Sequence, residues 1–226
     1  MNVEVFKKLD AYFKKHHLSL YMVGGTSRDY LLNKELTDFD FATDASPSEL
    51  KSLFKENKTP FIHLGSISVK FEGTKVDITC FRQESDYVDY RHPKTIKFIK
   101  SMEEDAKRRD FTINAIYIDV EGNCYDFYHG RDDLNNKIIR IIGDQDIRFN
   151  EDPLRILRAI RFAILLDFEI EEKTSESMKK NAYLLYKLTK EKVAVELKKA
   201  KKINKEKYER LLSYYQINEN DFMSIM

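Results

Sequence analysis

The chain contains no tryptophan, only two cysteines in 226 residues, and a net charge of just +1. The missing tryptophan excludes little, since tyrosine and phenylalanine still bring the aromatic content to 12%. Cys80 and Cys124 have no second cysteine or histidine at zinc-ligand spacing, so they read as buried free thiols in a reducing compartment. No run of about 18 apolar residues occurs, which excludes a membrane-spanning helix. Residues 1–17 mix charge with apolar positions at helical spacing and lack a signal-peptide core, so the expectation is a cytoplasmic protein. There is no internal repeat and no low-complexity tract.

What is present fits a soluble globular protein, 42% hydrophobic and 34% charged. Its length suits one domain of ordinary size with a smaller appendage. The near-zero charge is an average over unlike halves. From Lys187 to Arg210, ten Lys or Arg stand against four Glu, which leaves about −5 for the remainder. Such a split suits a metal-holding domain followed by a basic grip on a polyanion, although charge alone favours a solvated lysine-rich helix.

Periodicity predicts an amphipathic helix over 3–17, with Val5, Phe6, Leu9, Tyr12 and Phe13 on one face. A strand over Leu18–Val23 ends in Gly24-Gly25, and a helix begins at Ser27. A second strand covers Phe39–Ala42. Ser46-Pro47 starts a helix of about ten residues, Ser as N-cap and Pro in the first turn. Alternation from Ile67 to Phe81 gives two strands around Glu72-Gly73-Thr74. Residues 82–100 follow neither period and read as a long functional loop. A hairpin pairs Ala115–Val120 with Cys124–Phe127. Helices follow over Asp152–Leu166, Thr174–Leu188 and Lys190–Lys199, with a last pair beyond them.

Asp38 and Asp40 carry the first chemical signal. In a strand, residues i and i+2 share a face, so both carboxylates converge on one site. Paired carboxylates suit Mg²⁺, a hard cation that shares its oxygen ligands with substrate phosphates. Read alone, D-x-D occurs often in surface turns. Ten residues or so earlier, Gly24 and Gly25 let backbone amides approach a phosphate at a helix start, where Arg28 adds a bidentate fork. Asp77 alternates with Val76 and Ile78 and is a candidate third carboxylate; its role as metal ligand or as proton acceptor stays open.

Taken in order, GGxxRD at 24–29, DxD at 38–40, the long loop, RRDFTINA at 108–115, the Gly-x-x-Asp-Leu turn at 130–134 and EDxxRxxR from Glu151 resemble one family. It is the class II tRNA nucleotidyltransferase and bacterial poly(A) polymerase family, within the DNA polymerase beta-like superfamily. The matching stretches span about residues 20–200. The resemblance implies an α/β nucleotidyltransferase head of mixed sheet and helices over 1–142, followed by an all-helical neck over 143–226. It implies CCA addition to the 3′ end of tRNA from CTP and ATP, with pyrophosphate released and two Mg²⁺ ions held by Asp38 and Asp40. Arg109 is placed on the nucleotide and Asp110 near the sugar, which implies ribonucleotide selection. Asp152 and Arg155 become a protein template for the base, with Arg158 and Arg161 beside them along one helix face. One acceptor and one donor fork suit a base edge. In the loop, Arg82, Glu84, Asp86, Tyr87, Arg91 and Pro93 resemble the family pattern that accompanies terminal A addition.

Family members normally continue into body and tail domains that hold the tRNA elbow, whereas this chain stops soon after Thr189–Lys199, which resembles the neck element. Acceptor binding is then left to the basic helices, with Lys198, Lys199, Lys201 and Lys202 as candidates, to a partner, or to an oligomer. Phosphate contacts from lysines would make it salt-sensitive. Competing readings are adenosine-only addition or poly(A) tailing, a small-molecule nucleotidyltransferase, and a catalytically inactive RNA-binding module.

Overall fold

The computed structural model describes residues 3–55, 60–87, 89–90 and 93–223. The chain divides into two compact units, Met1–Ser85 with Thr95–Leu134, and Asp86–Lys94 with Asn135–Met226.

The first unit opens with α1 (Val3–Lys14), whose Phe6, Leu9 and Phe13 are buried as their spacing predicts. Next come β1 (Leu20–Met22), α2 (Gly25–Leu31), β2 (Asp40–Thr43) and α3 (Pro47–Leu53). The α3 helix is seven residues long, shorter than expected, but its start is as read. The Ser46 hydroxyl accepts from Glu49 N, while the Glu49 carboxylate accepts from Ser46 N at 2.7 Å, a reciprocal cap. β3 (Ser66–Phe71) and β4 (Thr74–Cys80) turn back on each other through Glu72 and Gly73, both at positive φ. That is the mirror-image turn a two-residue hairpin favours.

The expected loop over 82–100 is instead a two-stranded ribbon, β5 (Arg82–Tyr87) and β6 (Pro93–Phe98). Neither strand has a buried residue, so the alternation that marks a half-buried strand is missing from its sequence. Arg91 lies outside the described residues. The unit continues with α4 (Met102–Lys107), β7 (Ile116–Ile118), β8 (Cys124–Asp126) and α5 (Gly130–Asn135).

Six strands form one mixed sheet in the order β3-β4-β2-β1-β7-β8. β2 and β4 run parallel and the other pairs antiparallel. Phe41 on β2 packs its ring 5.2 Å from that of Phe6, and Val76, Ile78 and Cys80 on β4 are wholly buried. Apolar burial on that face leaves Asp77, between Val76 and Ile78, on the other. Cys80 is a buried thiol, but Cys124 is only half-buried, at a sheet edge. The expectation of two buried thiols holds for Cys80 alone.

The second unit holds the ends of β5 and β6 that fall within Asp86–Lys94, and is otherwise helical apart from a short parallel pair. In chain order it holds β9 (Ile138–Ile139), α6 (Gln145–Glu151), α7 (Leu154–Leu166), β10 (Glu169–Ile170), α8 (Glu172–Asn181), α9 (Lys190–Ile203) and α10 (Lys205–Tyr214). β9 and β10 pair with each other. α7 buries nearly its whole length and packs against α9, where Val193, Leu197 and Ala200 are buried. The helix expected over Thr174–Leu188 is α8 followed by a 3-10 turn over Ala182–Lys187.

Candidate active site

Gly24 takes φ +70° and ψ −131°, a conformation essentially closed to residues with a side chain. It turns the chain from β1 into α2. The following threonine fastens the turn to the paired carboxylates. Thr26 Oγ1 accepts from Asp40 N at 2.7 Å and donates to Asp38 O at 3.1 Å, and Val23 N donates to Asp40 O at 3.1 Å. Thr26 went unnoticed in the sequence, although a buried hydroxyl beside a glycine turn is a natural staple.

Asp40 begins β2, while exposed Asp38 precedes the strand rather than lying in it. The Thr26 staple, and not strand geometry alone, fixes the backbone at both aspartates. Asp77 stands directly opposite Asp40 in parallel register, with Asp77 N donating to Phe39 O at 2.8 Å. Burial, then the negative charges of Asp77 and Asp38, raise the Asp40 pKa, with Arg109 and Lys75 opposing. A cation would relieve that crowding. Among the described residues no group of three Asp, Glu, His or Cys side chains could hold a metal ion. The donor set fits Mg²⁺, which is commonly held by one or two carboxylates together with substrate phosphates.

Arg28 is buried. Its Nε and Nη2 reach the Asp29 carboxylate at 2.9 and 3.0 Å, and its Nη1 donates to Asn114 Oδ1 at 2.9 Å. A Cβ on Gly25 would sit 3.6 Å from Arg28 Nη2, so the guanidinium underlies the glycine turn.

The RRDFTINA segment is organised by Asp105 on α4, a residue the sequence reading passed over. Its carboxylate is fully buried and accepts from Arg108 Nε at 2.8 Å, Arg109 Nη2 at 3.0 Å, Tyr117 Oη at 2.6 Å and Arg82 N at 3.0 Å. Burial pushes its pKa up, but Arg108, Arg109 and the Tyr117 hydroxyl overcome this and hold it at about 2. Arg109 Nε also donates to Tyr117 Oη at 2.8 Å. The i+3 and i+4 spacing of Asp105 with the two arginines was a readable signal. Asp110 Oδ1 accepts from Phe111 N at 2.8 Å and from Asn114 Nδ2 at 3.3 Å.

The Gly-x-x-Asp-Leu turn supports that segment from behind. A Cβ on Gly130 would fall 2.2 Å from Thr112 O, which leaves no room for any side chain. Three residues on, Asp133 Oδ2 accepts from Thr112 Oγ1 at 2.7 Å.

In the second unit Glu151 and Asp152 do not share the first turn of one helix with Arg155. Glu151 ends α6, and Asp152 is extended at φ −147°, ψ 95° ahead of Pro153. The residue before proline is driven out of helical conformation, and that breaks the expected continuous helix. Asp152 Oδ1 accepts from Leu154 N at 3.1 Å and so caps α7 from outside. The two carboxyl-bearing residues thus belong to a bend, and the expected single face through Asp152, Arg155 and Arg158 begins at Arg155. Arg155 is buried, its Nη1 donating to Glu151 Oε2 at 2.9 Å and to Arg148 O at 2.7 Å. Arg148 binds the same Glu151 oxygen. Arg161 Nε donates to Glu196 Oε2 on α9 at 3.0 Å, and both Arg158 and Arg161 lie over the Phe162 ring. Of the candidate lysines, all on α9, Lys198, Lys199 and Lys202 are exposed. Lys199 is 2.9 Å from Glu196 and Lys201 is 2.7 Å from Glu219.

Among the described residues no helix is long and apolar enough to cross a membrane. The family of the poly A polymerase head domain matches over residues 20–140. A CCA-adding enzyme of Streptococcus agalactiae is 45% identical over 186 residues, 82% of this chain and 46% of its own length. That of Staphylococcus haemolyticus is 42% identical over 202 residues, 88% of this chain and 50% of its own. The chain thus spans about half the length of the curated relatives it matches. Among solved structures, the Bacillus stearothermophilus CCA-adding enzyme in complex with CTP superposes with a TM-score of 0.83 at 32% identity, covering 96% of this chain and 52% of that one. A tRNA nucleotidyltransferase complexed with a primer tRNA and an incoming ATP analog gives 0.77 at 33%, covering 92% and 60%.

Proposed function

Because this chain belongs to the poly A polymerase head-domain family, we propose that it adds C and A nucleotides, without a nucleic-acid template, to the 3′ end of tRNA, using CTP and ATP and releasing pyrophosphate. The observation that carries this is the staple of the Gly24–Gly25 turn to Asp38 and Asp40, with Asp77 in register beside them. In this reading the turn accepts phosphate beside carboxylates that share a cation. The CCA-adding enzymes among its relatives support the product, and the structures solved with CTP, or with a primer tRNA and an ATP analog, support the substrates.

In this reading residues 1–142 are the catalytic head and 143–226 the neck. Asp38 and Asp40 hold Mg²⁺, two ions in the full reaction, which when bound neutralises charge on the reacting phosphates. Asp77 helps set the charge of that cluster. The amides of Gly24 and Gly25 receive the triphosphate, with Arg28 beneath them as the buried cation. Arg109 faces the nucleotide and Asp110 accepts from its sugar. Asp152 and Arg155 read the base, Glu151 fixing the Arg155 fork, and Arg158 and Arg161 complete that surface. Lys198, Lys199, Lys201 and Lys202 contact RNA phosphates. Catalysis is then mainly positioning plus electrostatics. The activity belongs in the cytoplasm, where unfinished tRNA is met.

The test is incorporation by Asp38→Ala and Asp40→Ala. Each is expected to abolish nucleotide addition while melting as a folded protein; substantial activity in either folded variant contradicts the assignment.

A further inference from the structure

Arg28 and Asn114 are both buried, at 4% and 5% exposure, and bonded to each other across 86 residues of chain. A guanidinium carries only donors. Because Arg28 Nη1 donates to Asn114 Oδ1, the amide of Asn114 has one permitted orientation, and its Nδ2 must face the other way. There it meets Asp110 Oδ1 at 3.3 Å, on the same oxygen that takes Phe111 N at 2.8 Å. Two donors on one oxygen fix both the plane and the aim of the Asp110 carboxylate.

We infer that Asn114, held by Arg28, is the positioning residue that aims the Asp110 carboxylate, so that the ribonucleotide preference expected of this segment depends on Asn114. This rests on the proposed placement of Asp110 at the nucleotide sugar. A carboxylate can only accept, and the 2′-hydroxyl is the donor that a deoxynucleotide lacks. A carboxylate free to rotate would lose much of that discrimination to the cost of ordering it. The same Arg28 lies beneath Gly25 and is gripped by Asp29. One buried cation therefore links the turn that receives the triphosphate to the group that reads the sugar. Closing of the 3-10 turn Thr112–Asn114, with Asn114 N donating to Phe111 O at 2.9 Å, holds the amide in place.

Asn114→Asp tests this with little change of shape. It keeps an acceptor for Arg28 and replaces the donor toward Asp110 with a negative charge. Asn114→Ala removes both contacts. The readout is the ratio of kcat/KM for CTP over dCTP on an RNA primer, with a thermal melt for each variant. Loss of one orienting hydrogen bond predicts a fall of about tenfold in that ratio. An unchanged ratio in either folded variant overturns the inference. Absence of incorporation by the unmodified protein would count instead against the proposed activity. The CTP-over-dCTP affinity ratio from equilibrium binding then decides the inference by the same criterion.

Discussion

Thr26 and Asp40 are joined by a 2.7 Å hydrogen bond from the Asp40 amide to the Thr26 hydroxyl, which in turn donates a hydrogen bond to Asp38 O. A single buried side chain thus holds the glycine turn and the carboxylate pair in one frame. Thr26→Val keeps the shape and leaves the Asp40 amide without this acceptor. The expected cost is about 1–3 kcal/mol in stability, read by denaturant unfolding. A larger proportional loss is expected in incorporation, because misplacement of reacting groups is costly. A variant with wild-type kcat would contradict the staple.

Asp40 makes apo stability depend on pH in an unusual direction. Its pKa is raised in the folded chain by burial and by Asp77 and Asp38. The folded state therefore holds this proton to higher pH than the unfolded state does. Its contribution to stability is present at low pH and is lost as pH rises through the raised value. Asp40→Asn is expected to melt above the wild type at neutral pH without metal, with the gap closing as pH falls into the carboxylate range. Mg²⁺ should raise the wild-type midpoint and shift the variant less. Melting curves across pH, with and without Mg²⁺, check both statements.

Asp105 behaves in the opposite sense. Its folded pKa of about 2 lies below the ordinary value of roughly 3.9, so the stability it contributes is present above that value and lost as pH falls toward 2. Asp105→Asn leaves Arg108 and Arg109 without their shared carboxylate. Breaking one side of such a buried ionic group costs about 3–5 kcal/mol. The variant should be markedly less stable at neutral pH and show a flatter acid limb between pH 4 and 2. Equal acid limbs would contradict the role given to Asp105.

The β5–β6 ribbon supplies a prediction about product. Removing residues 86–91 is expected to leave C addition while suppressing A. Equal loss of both, measured with primers ending before and after the CC step, would count against a role in changing nucleotide preference.

Elements with one buried face were legible from sequence. Phe6, Leu9 and Phe13 announced α1, and Val76, Ile78 and Cys80 announced β4. Local chemistry also read correctly at Ser46 and at the Glu72-Gly73 turn. The ribbon was not legible, because strands without a buried face carry no period-two signal. α4 was missed for a related reason: it is six residues long, mostly charged, and buries only Asp105 and Ala106. Within the candidate site the chemistry-bearing residues could be picked out, but not what holds them. Thr26 and Tyr117 act through contacts between residues 8 to 14 apart, which no local pattern encodes, whereas the i+3 and i+4 spacing of Asp105 with Arg108 and Arg109 is local. The bend at Asp152-Pro153 is encoded by the proline, although the apolar spacing that follows it suits one continuous helix.

The central claim is that this chain builds a CCA end with the carboxylates of Asp38 and Asp40. The most direct test is incubation with tRNA lacking CCA, Mg²⁺, and CTP with or without ATP, followed by sequencing of the 3′ ends. The expected result is addition of CC with CTP alone, CCA with both nucleotides, and no addition by Asp40→Ala. Runs of A without C, or unchanged addition by Asp40→Ala, would contradict it.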